Sequence, residues 1–287
     1  MYEIVNNYRT NDDLRRSFNA LSEKTFGLNF ENWYQNGFWS DDYNPYSVLI
    51  DGQVVANVSV NRTDMVIDGK RRKLLQLGTV MTDDRFRNRG YIRAIMQQID
   101  KDHPDADGVY LFANDSVVEF YPKFGFHISH EYEYSKTICA TGECRMEQIT
   151  MDTPEKWALL NQAMEDNQFH CGCHMVGNPG LIFFYVSQFM QECTYYCKEL
   201  DTWVVAERED DALLIHNVFA TQPVDLSDVI NAFGAGIARV TLGFTPADAT
   251  GWSKNLIGQD DCTFFVKGHT FDDFEEKGLR IPSLSHA

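Results

Sequence analysis

The stretch of sequence that decides the fold is residues 77–96, which read LGTVMTDDRFRNRGYIRAIM. Its pattern predicts an apolar strand that ends at Thr82, a short polar loop, and a helix from about Gly90 to His103. The amides of residues 88–90 are expected at the first turn of that helix, where N–H groups are free and the helix dipole is positive. Such a turn suits an anion as large as a pyrophosphate, and Gly90 lets the backbone approach it closely.

Arginines surround the same turn in a chain that is otherwise acidic. Arg87, Arg89 and Arg93 add positive charge at the place where an anion would bind. A plainer interpretation is also open: a glycine at a loop-to-helix junction often has only a backbone role, and arginines on a first helical turn are often solvated. This stretch alone does not decide between the two.

A second informative stretch is residues 111–126, which read LFANDSVVEFYPKFGF. It predicts a buried strand followed by a short helix from Ser116 to Phe124, which Gly125 ends as a C-cap. Taken alone, Tyr121 is typical of a half-buried aromatic side chain whose hydroxyl reaches the surface.

Together the two stretches resemble the GCN5-related N-acetyltransferase (GNAT) superfamily, over about residues 1–140. In that family a strand leads into Gln/Arg-x-x-Gly-x-Gly/Ala and then a helix, and the turn binds the pyrophosphate of acetyl-CoA. In this chain the six positions run from Arg87 to Ile92; the arginine and the first glycine match, and Ile92 departs from the small residue of the pattern. Residues 111–126 resemble the same family's strand, short helix and Tyr-x-x-x-Gly-Phe segment.

The resemblance implies direct attack of an amine on the thioester of acetyl-CoA, with no metal. The strand through Thr82 would hold the pantetheine arm by backbone hydrogen bonds, and a β-bulge there would aim the N–H of Met81 or Thr82 at the thioester oxygen. Tyr121 would donate a proton to the departing thiolate. The residues that the resemblance assigns to the cofactor are Val80, Met81, Thr82, Arg87, Asn88, Arg89, Gly90, Tyr91, Ile92 and Asn114.

The general base has several candidates. Glu31, Asp41 and Asp42 precede the first long strand near the expected acceptor cleft, although each is also typical of a solvated surface acid. A weaker resemblance to the larger enhanced-intracellular-survival type of acetyltransferases, whose C-terminal carboxylate reaches the active site, adds Ala287 and its neighbour His286. The alternative is a tail that only packs between the two halves.

The second half of the chain repeats the order of strands and helices predicted for the first. This order predicts an α/β (α+β) fold with mixed, mostly antiparallel sheets flanked by helices, in two tandem GNAT-like halves: a catalytic domain at residues 1–145 and a degenerate copy at 146–287. A single α/β domain with an accessory cap is the alternative. The loop at residues 221–228 has no glycine and no arginine, so the second half is not expected to bind CoA.

The charge of the chain is also divided unevenly. Of 287 residues, 25 are Lys or Arg and 42 are Asp or Glu, a formal charge of −17. The first 150 residues carry 17 basic and 22 acidic side chains, a balance of −5, which leaves 8 and 20, or −12, in the remainder. This charge argues against nucleic-acid and polybasic membrane partners, and the acidic half favours a cationic small-molecule amine as acceptor.

The N-terminus, the cysteines and one cluster of His and Cys residues bear on the compartment and on metal binding. The N-terminus has no signal-peptide pattern, and the 7 cysteines form no disulfide framework, which together predict a cytoplasmic protein with reduced thiols. The cluster from His170 to His174 has soft ligand types without zinc-site spacing, so no metal is expected. The rival to an acetyltransferase is a non-catalytic acyl-CoA-binding sensor, and the oligomeric state is open.

Overall fold

The computed structural model describes residues 2–140, 142–258 and 261–286. None of the helices in these ranges is long and apolar enough to cross a membrane. The helices are α1 Asp12–Phe26, α2 Glu31–Gln35, α3 Tyr91–Asp102, α4 Pro154–Glu165, α5 Pro179–Gln188 and α6 Leu226–Ala232. The strands are β1 Glu3–Val5, β2 Tyr43–Ile50, β3 Gln53–Ile67, β4 Lys70–Thr82, β5 Gly108–Ala113, β6 His127–Ile128, β7 Tyr132–Thr137, β8 Glu147–Gln148, β9 Cys173–Val176, β10 Thr194–Cys197, β11 Thr202–Glu209, β12 Ala212–Ala220, β13 Arg239–Leu242, β14 Ser253–Leu256 and β15 Thr263–Lys267.

The strands form two sheets with the same order and directions. The first sheet runs β1-β2-β3-β4-β5-β15-β6, with β9 added beside β3, and the second runs β8-β10-β11-β12-β13-β7-β14. In each sheet the fourth and fifth strands are parallel, β4 with β5 and β12 with β13, and the neighbours along these orders are otherwise antiparallel. The predicted class, mixed sheets of mostly antiparallel strands flanked by helices, is confirmed.

Each half of the chain lends strands to the sheet of the other: the second half lends β9 and β15 to the first sheet, and the first half lends β7 to the second. The sixth position of the first sheet is taken by β15, from near the C-terminus, and that of the second sheet by β7, from the first half. Because of this exchange, neither sheet is complete without both halves. The domain boundary predicted at residue 145 is therefore a proposal, in which the two domains share strands.

The chain passes from the first sheet to the second between β6 and β7, crossing at residues 129–131. One predicted element differs from the observed one. The helix expected from Ser116 to Phe124 is instead a pair of 3₁₀ turns, Asp115–Val117 and Tyr121–Phe124. The predicted C-cap is correct, because Gly125 has φ +85° and its N–H donates to the Pro122 carbonyl.

Separate cores lie on the two faces of the first sheet. On one face, Val58, Val60 and Leu77 pack against α3 through Ile95 and its neighbours. On the other, α1 and α2 build an aromatic cluster against the sheet, in which Trp39 is 1% exposed. Apolar side chains at alternate strand positions thus fix which face each helix covers.

The C-terminal segment joins the two sheets through a buried carboxyl group. Glu131, 6% exposed at the crossing between β6 and β7, accepts a hydrogen bond from the Ile281 N–H at 2.7 Å. The neighbouring Arg280 donates to the Leu242 carbonyl at 2.9 Å. Burial raises the pKa of Glu131 to about 7, although Arg280 and the Ile281 N–H act in the opposite direction.

We expect Glu131→Gln to flatten part of the pH dependence of stability. The folded-state pKa of Glu131 lies above its ordinary value of 4.5. The contribution of protonated Glu131 to the free energy of unfolding is therefore fully present below pH 4.5 and is lost as pH rises through about 7. The loss is on the order of 3 kcal/mol, and glutamine keeps an acceptor for Ile281. Urea unfolding of both proteins between pH 4.5 and 8 measures the difference, and parallel curves would contradict the assignment.

Candidate active site

The first sheet opens into a wedge between β4 and β5. Within residues 70–113, all of which the structure describes, the two strands pair from Leu74 with Gly108 to Gln76 with Tyr110, and then separate. Beyond this point β4 stays paired with β3 up to Thr82, and β5 stays paired with β15 up to Ala113. Each strand is therefore held on its outer side only, and its inner edge can pair with an extended ligand.

The strand β4 carries a β-bulge inside this wedge. Asn57 pairs with Met81 and Ser59 with Gly78, so that Thr79 and Val80 together oppose one residue of β3. Thr79 has φ +44°, a left-handed conformation that costs a β-branched residue about 1–2 kcal/mol. The bulge lies one residue before the Met81 N–H group that the sequence singled out.

The loop after β4 leads into α3 through two left-handed residues. The Asp83 N–H donates to the Val55 carbonyl, and the Asp83 carboxylate accepts from the Arg85 N–H at the start of a 3₁₀ turn. Asn88 has φ +62° and Gly90, the N-cap of α3, has φ +78°. Gly90 brings no capping side chain, and no side chain of the described residues caps α3, so the first-turn N–H groups of this helix are left for water or a ligand.

The arginines of this loop are engaged with the loop itself. Arg85 pairs with Asp83 at 2.9 Å and holds the pKa of that carboxyl well below its usual range. Arg87 pairs with Asp84 at 2.8 Å, and Arg89 donates to the Arg85 carbonyl at 3.0 Å. These contacts stiffen the loop but also offset part of the positive charge that the sequence assigned to it.

Arg93 and the remaining predicted cofactor residues lie near the start of α3 and the end of β5. Arg93 packs over the ring of Phe124, 5.2 Å from its centroid. Tyr91 is buried and Ile92 partly buried in the core under α3. The side chain of Asn114, at the end of β5, donates to the Asp261 carboxylate at 2.8 Å, so it fixes the approach to β15.

Tyr121 lies under the wedge on the same face as α3. Its ring contacts Phe265 on β15, with centroids 5.4 Å apart, and the residue is 5% exposed. Among the residues that the structure describes, none forms a hydrogen bond with its hydroxyl. Burial raises the pKa of Tyr121 to about 12, so the hydroxyl is protonated at neutral pH.

The three acidic base candidates are each paired with an arginine. Glu31 accepts two hydrogen bonds from Arg15, which lower the pKa of its carboxyl. Asp41 pairs with Arg9 at 2.9 Å and Asp42 with Arg62 at 3.0 Å. These contacts give the three carboxylates structural roles in the described structure.

The C-terminal segment reaches the face of β5 opposite α3. His286 stacks on Phe112, with ring centroids 3.7 Å apart, and its carbonyl accepts from the Tyr185 hydroxyl. Burial lowers the pKa of His286 to about 3, so the imidazole is neutral. Its Nε2 atom is buried without a partner among the described residues. Ala287, the predicted carboxylate, lies outside the described residues.

Sequence reasoning missed the contribution of Phe112 to this arrangement. Leu111 and Ala113 belong to the core under α3, so the side chain between them points to the opposite face. The alternation was visible in the sequence of β5. What was not visible was that a residue 174 positions away, His286, would cover that face.

The second sheet has an equivalent wedge that the chain itself fills. The strands β12 and β13 pair up to Ile215 and Leu242, and β12 has a bulge at His216. Ser283 lies where they separate: its N–H donates to the Gly243 carbonyl at 2.8 Å, and its hydroxyl bonds His216 Nδ1 at 2.8 Å. A side chain at Gly243 would collide with Ser283.

Comparison with known proteins agrees with the motifs. Residues 8–129 match the sequence model of a family described as the acetyltransferase (GNAT) domain. No curated protein matches the sequence.

Several solved structures share the fold. A probable N-acyltransferase from Enterococcus faecalis V583 is 14% identical with a TM-score of 0.63, over 96% of this chain and 75% of its own. Eis1 from Mycobacterium abscessus is 13% identical with a TM-score of 0.57, over 92% of this chain and 73% of its own. A GCN5-related N-acetyltransferase from Kribbella flavida is 16% identical with a TM-score of 0.56, over 93% and 71%.

We expect Gly90→Ala to weaken the binding of acetyl-CoA roughly tenfold. A methyl group at this left-handed position either strains the turn or rotates the amides away from the phosphates. Calorimetric titration with acetyl-CoA gives the dissociation constant.

Gly69→Ala is the matched control for this change. Gly69 also has a left-handed backbone, with φ +70°, and open space around it, but it lies in the turn between β3 and β4. Both substitutions should destabilise the fold by about 1 kcal/mol. Equal affinity for acetyl-CoA in the two variants would remove the Gly90 turn from the binding site.

Proposed function

We propose that the protein, whose residues 8–129 match the sequence model of the acetyltransferase (GNAT) domain, is an acetyl-CoA-dependent N-acetyltransferase that acylates a primary amine of a cationic small molecule. The observation that carries the proposal is the wedge between β4 and β5, with a bulge on one side and the start of α3 at its open end. An extended thioester with a phosphate at its far end fits these three features in that order. A cytoplasmic location and the domain division at residue 145 belong to the same proposal.

In this proposal the substrate acetyl-CoA lies along β4. The backbone of Val80 to Thr82 pairs with the amide groups of the pantetheine arm as a neighbouring strand would. The pyrophosphate is bound by the N–H groups of residues 88–92, at the positive end of α3. The loop arginines hold these amides in place, since Arg85 and Arg87 are paired within the loop.

The acyl transfer is direct in this account. The amine nitrogen forms a bond to the thioester carbon, and the carbonyl oxygen gains a negative charge that a backbone N–H near the bulge stabilises. The carbon–sulfur bond then breaks, and the thiolate takes the proton of Tyr121. The nitrogen, positively charged after the attack, loses a proton to solvent, and a proton from solvent restores the Tyr121 hydroxyl. Tyr121 suits this role because its buried hydroxyl is protonated and has no other partner in the described part of the chain.

The acceptor approaches from the face that His286 covers. A primary amine with a pKa near about 10.4 must lose a proton before it attacks. We assign the proton acceptor to the carboxylate of Ala287, because Ser285 and His286 are bound against β5 and α5 through Tyr110 and Tyr185. The His286 imidazole is too weak a base for this step, since burial lowers its pKa to about 3. The excess acid of the second half favours a cationic acceptor.

The proposed function predicts release of CoA when the protein is incubated with acetyl-CoA and a panel of aminoglycosides, polyamines and amino acids. Mass spectrometry of the acetylated amine is the direct readout, and a reaction without amine controls for hydrolysis and for the exposed Cys139 and Cys144. Tight CoA binding without turnover of any amine would favour the acyl-CoA-binding sensor.

Tyr121→Phe is expected to lower kcat by roughly one to three orders of magnitude, the size of a general-acid contribution. The affinity for acetyl-CoA should stay the same, because the ring and its contacts with Phe265 are kept. Steady-state kinetics and calorimetry measure the two quantities. Tyr195→Phe, in the second sheet, controls for loss of a phenol; if it and Tyr121→Phe retain equal turnover, Tyr121 is not the acid.

A further inference from the structure

One face of β3 carries a buried row of polar side chains. Asn57, Ser59, Asn61 and Thr63 stand at alternate positions, and each is at most 1% exposed. The opposite face of the same stretch carries apolar residues such as Val58. A buried polar group costs stability unless it is hydrogen-bonded, so these four side chains are expected to have hydrogen-bond partners.

Asn57 connects this row to the bulge of β4. Its side-chain N–H₂ donates to the Thr79 carbonyl at 3.0 Å and to the Ser59 hydroxyl at 2.9 Å. Its side-chain oxygen accepts from Ser47 at 2.8 Å, and Ser47 in turn bonds the Tyr8 hydroxyl at 2.7 Å. Both ends of the Asn57 amide are therefore fixed.

Tyr43 holds the same bulge through the side chain of Thr79. The oxygen of the buried Tyr43 hydroxyl lies 2.8 Å from the Ser59 hydroxyl and 2.9 Å from the Thr79 hydroxyl, within hydrogen-bond distance of both. Thr79 also donates to Ser59 at 2.7 Å. The carbonyl and the side chain of Thr79, the strained residue of the bulge, are thus both bound by the network.

This network explains how a threonine stays in a left-handed conformation inside a strand. A strained backbone persists only when its surroundings over-determine it. Here the partners come from β2 and β3, which lie on the side of β4 away from the wedge. The network thus fixes the bulge without occupying the space in which the thioester would lie.

We infer that Asn57 and Tyr43 are positioning residues, which hold the Thr79–Val80 bulge so that a backbone N–H group on the inner edge of β4 meets the thioester oxygen. The inference rests on the proposed function, since it supplies the geometry for that reaction. It assigns no contact with substrate to either residue. A purely structural role for the network would lower stability but would leave kcat unchanged once the protein is folded.

The test compares Asn57→Leu with Asn61→Leu. Asn61 is a matched control because it lies on the same strand and face, is as deeply buried, and bonds the Gln76 side chain at 3.1 Å rather than the bulge. We expect Asn57→Leu to lower kcat roughly 10- to 100-fold, with the dissociation constant of acetyl-CoA within about twofold of wild type because the phosphate turn is separate. Asn61→Leu should keep kcat within about threefold.

Tyr43→Phe provides a second pair should Asn57→Leu fail to fold. It removes one hydroxyl from the network, and we expect a fall in kcat of about three- to tenfold. Tyr46→Phe is its control, since Tyr46 is equally buried and its hydroxyl bonds Asp102 on α3. Equal kcat within both pairs would overturn the inference, whereas a wild-type protein without turnover would overturn the proposed function.

Amide hydrogen exchange without substrate completes the test. In Asn57→Leu the amides of residues 79–81 should exchange faster than in Asn61→Leu, because the bulge has lost its anchor. Exchange at these amides that is the same in both variants would show that the network does not hold the bulge, whatever the activity.

Discussion

Two parallel strands that part after three paired residues constrain the rest of this structure. Beyond Gln76 and Tyr110 the inner edges of β4 and β5 pair with no strand in the part of the chain that the structure describes, while β3 and β15 hold the outer edges. Backbone groups in a protein interior need hydrogen-bond partners. A wedge of this kind is stable when an extended ligand or water supplies them, and the bulge and the start of α3 then determine which ligand fits.

The same constraint is met differently in the second sheet. There the wedge between β12 and β13 contains Ser283, bound to Gly243 and His216 of the same chain. The filled wedge supports the expectation, drawn from the missing glycine and arginine at residues 221–228, that this half does not bind CoA. It also anchors the C-terminal segment, which continues to Phe112 on the first sheet. One sheet thus presents an open wedge, and the other uses its wedge to position the end of the chain.

Short-range sequence patterns predicted individual strands, helices and caps of the fold. The strand, loop and helix of residues 77–102 and the C-cap at Gly125 follow from apolar periodicity and glycine placement. The exchange of β7 and β15 could not be predicted, because it depends on pairing between residues more than 100 positions apart, such as Thr241 with Ser135. The alternation of Asn57, Ser59 and Asn61 was visible but typical of a half-exposed strand. Its burial follows from tertiary packing that no local pattern contains.

Amide hydrogen exchange with and without CoA shows whether the first wedge is the ligand site and the second is closed. CoA should slow exchange at residues 80–82 and 88–92 and leave exchange at residues 213–228 unchanged. Protection that falls instead on residues 213–228, or is absent from the first wedge under saturating CoA, would show that the first wedge does not bind the ligand.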